Sequence, residues 1–127
     1  MVANHSELTP YDQIGAEKIQ ELVNAFYPKV YADPELSPLF EGNMEIIKEK
    51  QRMFLTQFLG GPTLYSDVYG PPMMKFRHQP FEITPRRAEC WLRCMKEAFQ
   101  EVGLDKHPVG DFFYKRLEKV AGIMVNS

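Results

Sequence analysis

Lys75-Phe76-Arg77-His78-Gln79-Pro80-Phe81 sets a histidine among aromatic and cationic neighbours, in a short segment closed by a proline. The chain has three histidines. His5 lies in a polar stretch, and His107 abuts Pro108 at a helix start, so only His78 keeps such company. An imidazole placed there can hold a metal, move a proton or complete a hydrogen-bonded core. What surrounds it in the fold decides among the three.

Working outward, the neighbouring segments read as helices divided by proline and glycine, with no strand alternation and no internal repeat. Just upstream, residues 62–72 read as a loop closed by Gly70-Pro71-Pro72, followed by a short helical turn from Met73 to His78. Before that, Met44 to about Leu59 forms a helix with Ile47, Gln51, Phe54, Leu55 and Phe58 on one face, ended by Gly60-Gly61-Pro62. Ala16 to about Tyr31 carries Ile19, Leu22, Val23, Phe26, Tyr27 and Val30 at three- and four-residue steps. A corner broken by Asp33-Pro34 and Ser37-Pro38 carries Leu39 and Phe40, and Thr9-Pro10 opens a very short first helix that Gly15 ends. Downstream, Thr84-Pro85 starts a long helix to about Val102, with Ala88, Trp91, Leu92, Met95, Phe99 and Val102 inward and Gly103 as its cap. Pro108 opens the last helix, whose stripe is Val109, Phe112, Phe113, Leu117, Val120, Ala121 and Met124. The fold class is all-α. Residues 1–8 read as a flexible lead-in and 9–127 as one domain, a length that suits a single core.

Composition excludes several functions. A hydrophobic content of 44% and a charged content of 25% are those of an ordinary globular protein. The net charge of -2, with both signs mixed along the chain, leaves no footprint for nucleic acid. No apolar run approaches the roughly 18 residues of a membrane span, and no signal peptide opens the sequence, so it reads as cytoplasmic with no membrane partner. Cys90 and Cys94 lie four apart on one helix, a poor spacing for a disulfide, and lack further ligands for zinc. They read as reduced thiols.

Three apolar stripes each carry a polar group that plain core would not choose. Tyr27 brings a hydroxyl, Gln51 a whole amide and Trp91 an indole N–H. Burying each without a partner costs on the order of 1–3 kcal/mol. Each could bond a nearby carbonyl or a water. Three from three helices, with His78 on a fourth segment, suggest instead a pocket with convergent polar groups in an aromatic lining. The sequence has no HExxH, no CxxC, no nucleophile elbow and no phosphate-binding glycine loop. Aromatics at 13% are high for a small helical protein. A flat apolar cofactor bringing its own metal would account for both that excess and a single histidine, and haem, held by one axial imidazole in globins, does both.

The runs Phe54-Leu55-Thr56-Gln57-Phe58-Leu59-Gly60-Gly61-Pro62, Arg77-His78-Gln79-Pro80-Phe81 and Ala88-Glu89-Cys90-Trp91-Leu92-Arg93-Cys94-Met95, with Phe26-Tyr27 before them, resemble a group II truncated haemoglobin. The resemblance runs from about Tyr11 onward. It implies a two-over-two helical sandwich in which the segment before the proximal histidine is mostly loop. It further implies that His78 is the axial ligand of a haem b iron, and that Tyr27, Gln51 and Trp91 surround the face where oxygen binds. Ile47 then takes the position of a distal histidine and cannot donate. Phe40, where some relatives have tyrosine, packs on the haem edge, and Phe54 belongs to the same lining. Lys50, Tyr65 and Arg77 lie near the propionates, although Lys50 and Arg77 could equally be solvated surface charges.

Donors aimed from a dry pocket stabilise a ligand carrying partial negative charge. The resemblance therefore implies reversible binding of oxygen and other diatomic ligands, with slow oxygen release if Tyr27 and Trp91 both donate. An oxygen-, nitric oxide- or peroxide-reacting haem enzyme on the same fold, served by a reductase, is the alternative. A haem-free helical sensor module is another. The sequence is compatible with a monomer or a homodimer.

Overall fold

Two threonines and an asparagine open three of the helices. In the computed structural model, which describes residues 8–40 and 42–127, Thr9 forms a capping box with Asp12 at the start of α1 (Pro10–Ile14). Asn43 Oδ1 accepts the Glu45 and Ile46 N–H groups at the start of α3 (Met44–Phe58). Thr84 Oγ1 accepts the Arg87 N–H at 3.1 Å at the start of α6 (Pro85–Val102), where Pro85 fills the first turn. The remaining helices are α2 (Ala16–Ala32), α4 (Leu64–Tyr69), α5 (Met74–His78) and α7 (Gly110–Met124). The flexible lead-in expected at residues 1–8 falls, but for the exposed Leu8, outside the described residues, as does His5. Among the described residues there is no strand, and no helix is long and apolar enough to cross a membrane.

The α2 stripe is buried as its spacing foretells, Ile19, Leu22, Val23, Phe26, Tyr27 and Val30 all being 3% exposed or less. Pro28 removes one helical N–H from α2, but its ring lies on the exposed side and the helix runs through it. Helix α2 packs on both α3 and α6, and α6 packs on α7. Two helix pairs, α2 with α3 and α6 with α7, are thus laid one over the other: a two-over-two sandwich. Its centre holds Phe26, Met95, Leu117 and the Phe99–Phe113 pair, whose rings are 5.0 Å apart. Phe26, Met95 and Phe113 are each 1% exposed or less.

The structure differs from the sequence reading in four places. Residues 62–72 are not all loop: α4 lies within them, because Gln57 of α3 accepts the Ser66 N–H at 2.9 Å and donates to the Ser66 hydroxyl at 2.7 Å. Helix α7 starts at Gly110 rather than Pro108, since residues 107–109 form a turn in which His107 Nδ1 accepts the Val109 N–H. Phe112 points outward, half exposed, beside the Arg116 guanidinium at 5.7 Å. On α6 the fully buried side is Cys90, Cys94, Met95, Ala98 and Phe99, so both reduced thiols are core groups, while Ala88 and Trp91 are only half buried.

The Thr84 cap orients the α6 end that carries Arg87, Ala88 and Trp91. Thr84→Ala is expected to cost about 1 kcal/mol of stability, read as a lowered midpoint in urea with an unchanged slope. An unmoved midpoint would show that water replaces the hydroxyl at no cost.

Candidate haem site

His78 is the last residue of α5, a single turn entered through Met73, whose φ of 41° is left-handed and unusual for a side chain other than glycine. The turn places the Met74 carbonyl 2.7 Å from His78 Nδ1. A carbonyl only accepts, so Nδ1 carries the proton and Nε2 keeps its lone pair, the tautomer that a metal ligand needs. Among the described residues no three His, Cys, Asp or Glu side chains group to hold an ion. A metal at His78 would therefore have to bring its remaining ligands with it.

His78 faces a cavity of about 580 Å³ between the two helix pairs. This is within the range of small-molecule and cofactor sites. Tyr27, Phe40, Ile47, Lys50, Gln51, Phe54, Tyr65, Arg77, His78 and Trp91 all line it. Three of the five residues of the α3 stripe are only partly buried for this reason: Ile47, Gln51 and Phe54 face the cavity. Phe26 sits between two of the polar groups, its ring edge-on to Tyr27 at 4.9 Å and to Trp91 at 5.2 Å. Phe40 closes the corner 6.0 Å from Tyr27.

Three polar groups of the cavity are not spent on the described residues. Gln57 and Tyr114 use their side chains on Ser66 and the Leu92 carbonyl, whereas Tyr27, Gln51 and Trp91 make no side-chain hydrogen bond among the described residues. Burial, and then the neighbouring Tyr31, push the Tyr27 hydroxyl far above the usual phenol range, so it stays a neutral O–H donor. Arg77 gives one nitrogen to the Tyr69 and Pro71 carbonyls at 2.7 and 3.0 Å, and its buried Nε has no partner among the described residues. Its guanidinium stands 5.5 Å from the Tyr65 ring, and Lys50 Nζ lies 4.8 Å from that of Tyr69. A flat group with a basic-nitrogen ligand, apolar faces and carboxylate edges fits these residues: lone pair, aromatic walls and an orphaned arginine N–H.

Residues 9–126 match the model of a protein family described as bacterial-like globin. The chain is 46% identical over 117 residues to the group 2 truncated haemoglobin YjbI of Bacillus subtilis, covering 92% of this chain and 88% of that one. Its structure is similar to that of the group II truncated haemoglobin of Bacillus anthracis, with a TM-score of 0.91, 45% identity, and coverage of 94% of this chain and 98% of that one. A truncated oxygen-avid haemoglobin from B. subtilis is similar too, at a TM-score of 0.90 and 45% identity over 94% of this chain and all of that one.

The chain is a group II truncated haemoglobin. Membership implies a haem group, and the cavity facing His78 has room and chemistry for one. Sequence reading of this truncated haemoglobin missed several lining residues, among them Met74, Phe81, Ile83, Arg87 and Ala88. Two had a signal: Met74 is one turn before His78, and the small Ala88 is one turn before Trp91. Phe81 and Ile83 owe their place to the non-helical path after His78, which has no periodicity to read.

Proposed function

We propose that this truncated haemoglobin holds haem b through His78 and binds oxygen and other diatomic ligands reversibly, with Tyr27, Gln51 and Trp91 as the polar side of the ligand pocket. One observation carries the reading: three hydrogen-bonding groups from three helices have no partner among the described residues in the cavity that His78 faces. The bound haem supplies an iron with a position open to a diatomic ligand. Everything else falls to the chain. His78 Nε2 would offer its lone pair to the iron, the ring being steadied by the Met74 carbonyl. The neutral Tyr27 hydroxyl and the Trp91 indole can each donate to a polar ligand, and the Gln51 amide adds further donors. Ile47 and Phe40 keep that side dry, which strengthens each donated bond. The Arg77 guanidinium and the Lys50 ammonium would meet the propionate carboxylates. The oxygen-avid character of the similar B. subtilis protein supports slow release here as well. A c-type haem is disfavoured, because the only thiols, Cys90 and Cys94, are buried and absent from the lining, and there is no CxxCH.

The test is the absorption spectrum of the reduced protein with and without carbon monoxide. A five-coordinate ferrous spectrum that converts at one carbon monoxide per chain is the expected result. A sample that takes up no haem and shows no Soret band would favour a haem-free module.

A further inference from the structure

The end of α5 and the segment after it carry three cavity residues, His78, Phe81 and Ile83, on a path that is not helical beyond His78. Its backbone polar groups are met from far along the chain. Asn126, two residues beyond α7, donates its own N–H to the Ile83 carbonyl at 2.9 Å. Its side-chain Oδ1 accepts the Ile83 N–H, also at 2.9 Å. Its Nδ2 donates to the Phe81 carbonyl at 2.8 Å and to the His78 carbonyl at 3.3 Å. Each backbone group that Asn126 reaches thus belongs to a residue lining the cavity. The side-chain amide makes three of its four possible bonds, with both donors engaged and one bond accepted. Few side chains could replace it: aspartate keeps the acceptor and loses both donors.

We infer that Asn126 is a positioning residue for His78, clamping the 78–83 turn so that the imidazole is presented to the cavity in one direction. The imidazole is fixed from its N-terminal side by the Met74 carbonyl and from its C-terminal side by this amide. The His78 carbonyl also accepts the Phe81 N–H at 3.0 Å, so the turn and the clamp close on one atom. Without the Nδ2 donors, two carbonyls of the turn lose their link to the segment after α7, and the ligand's backbone is free to rock. The inference rests on the haem reading, because its effect is felt at the bond from His78 to iron.

Asn126→Asp and Asn126→Ala, each loaded with haem and reduced, test it by resonance Raman spectroscopy and by haem transfer to an excess of a haem-free globin. Removing a group that orients a metal ligand typically costs 10–100-fold in metal affinity, so both variants are expected to lose haem about tenfold faster and to shift or broaden the iron–histidine stretch. Amide exchange at Ile83, measured before haem is added, is expected to quicken in Asn126→Ala and to stay slow in Asn126→Asp. Lowered thermal midpoints with an unchanged stretch and unchanged haem loss would overturn the inference, leaving Asn126 a purely structural tie. A wild-type protein with no iron–histidine band would overturn the haem reading and this inference together.

Discussion

His78→Ala is expected to abolish stoichiometric haem binding. Titrating the variant with haem should give weak, non-saturating absorbance in place of a Soret band that reaches its end-point at one equivalent. The size of the effect follows from what is removed. Disturbing a partner that only orients a metal ligand costs about 10–100-fold in affinity, so deleting the ligand itself should exceed about 100-fold. The protein has no cluster of His, Cys, Asp or Glu among the described residues to take over. The backbone of α5 need not change, because alanine suits a helix and the Met74 carbonyl, losing its Nδ1–H partner, is at the partly exposed face of the turn. His78→Gly should leave a hole of imidazole size, and free imidazole should then restore the spectrum. A His78→Ala protein that binds haem one to one with the wild-type spectrum would end the assignment.

The long helices were legible because four or more turns of apolar spacing leave little choice of face, as on α2. Caps at Thr9 and Thr84 were equally open, being local chemistry between neighbours three residues apart. Helix α4 was not, because six residues give too little period and its tie to α3 reaches back nine residues to Gln57. Phe112 was misread for a related reason: it sits one step beside Phe113, and a stripe of seven apolar residues is wider than the face that packs. Within the candidate site, Gln51, Trp91 and Tyr27 could be read directly, since each sets a polar group on an apolar face. Lys50, Tyr65 and Arg77 could not, and only the family resemblance singled them out. Their side chains look like surface groups until α4 and the Gly70-Pro71-Pro72 turn bring them to the cavity. Met74 contributes a backbone carbonyl to His78, and Asn126 bonds the turn from 43 residues beyond Ile83. Neither shows in a pattern of side chains.

Trp91→Phe should raise the oxygen dissociation rate by about 10- to 100-fold, since a hydrogen bond to a charged group is worth about 1.5–3 kcal/mol and each 1.4 kcal/mol is tenfold. Phenylalanine keeps an aromatic ring on the side of Phe26, 5.2 Å from the Trp91 ring, and removes the N–H together with part of the indole. The indole makes no hydrogen bond among the described residues, so no hydrogen bond within the protein is lost with it. Carbon monoxide, a less polar ligand, gives the control: its dissociation rate should change far less than that of oxygen. Tyr27→Phe measured beside it separates two arrangements. If both donors reach the same ligand atom, the double variant should show coupling between the two losses; if they act apart, the losses should add. An oxygen rate unchanged in Trp91→Phe would leave Tyr27 and Gln51 as the donors and make Trp91 a wall of the cavity only. The Tyr27 hydroxyl, held neutral by burial, should keep its contribution across the pH range in which the protein is folded. A Trp91→Phe oxygen off-rate that varied steeply with pH would therefore point to a titrating group other than Tyr27 in the pocket.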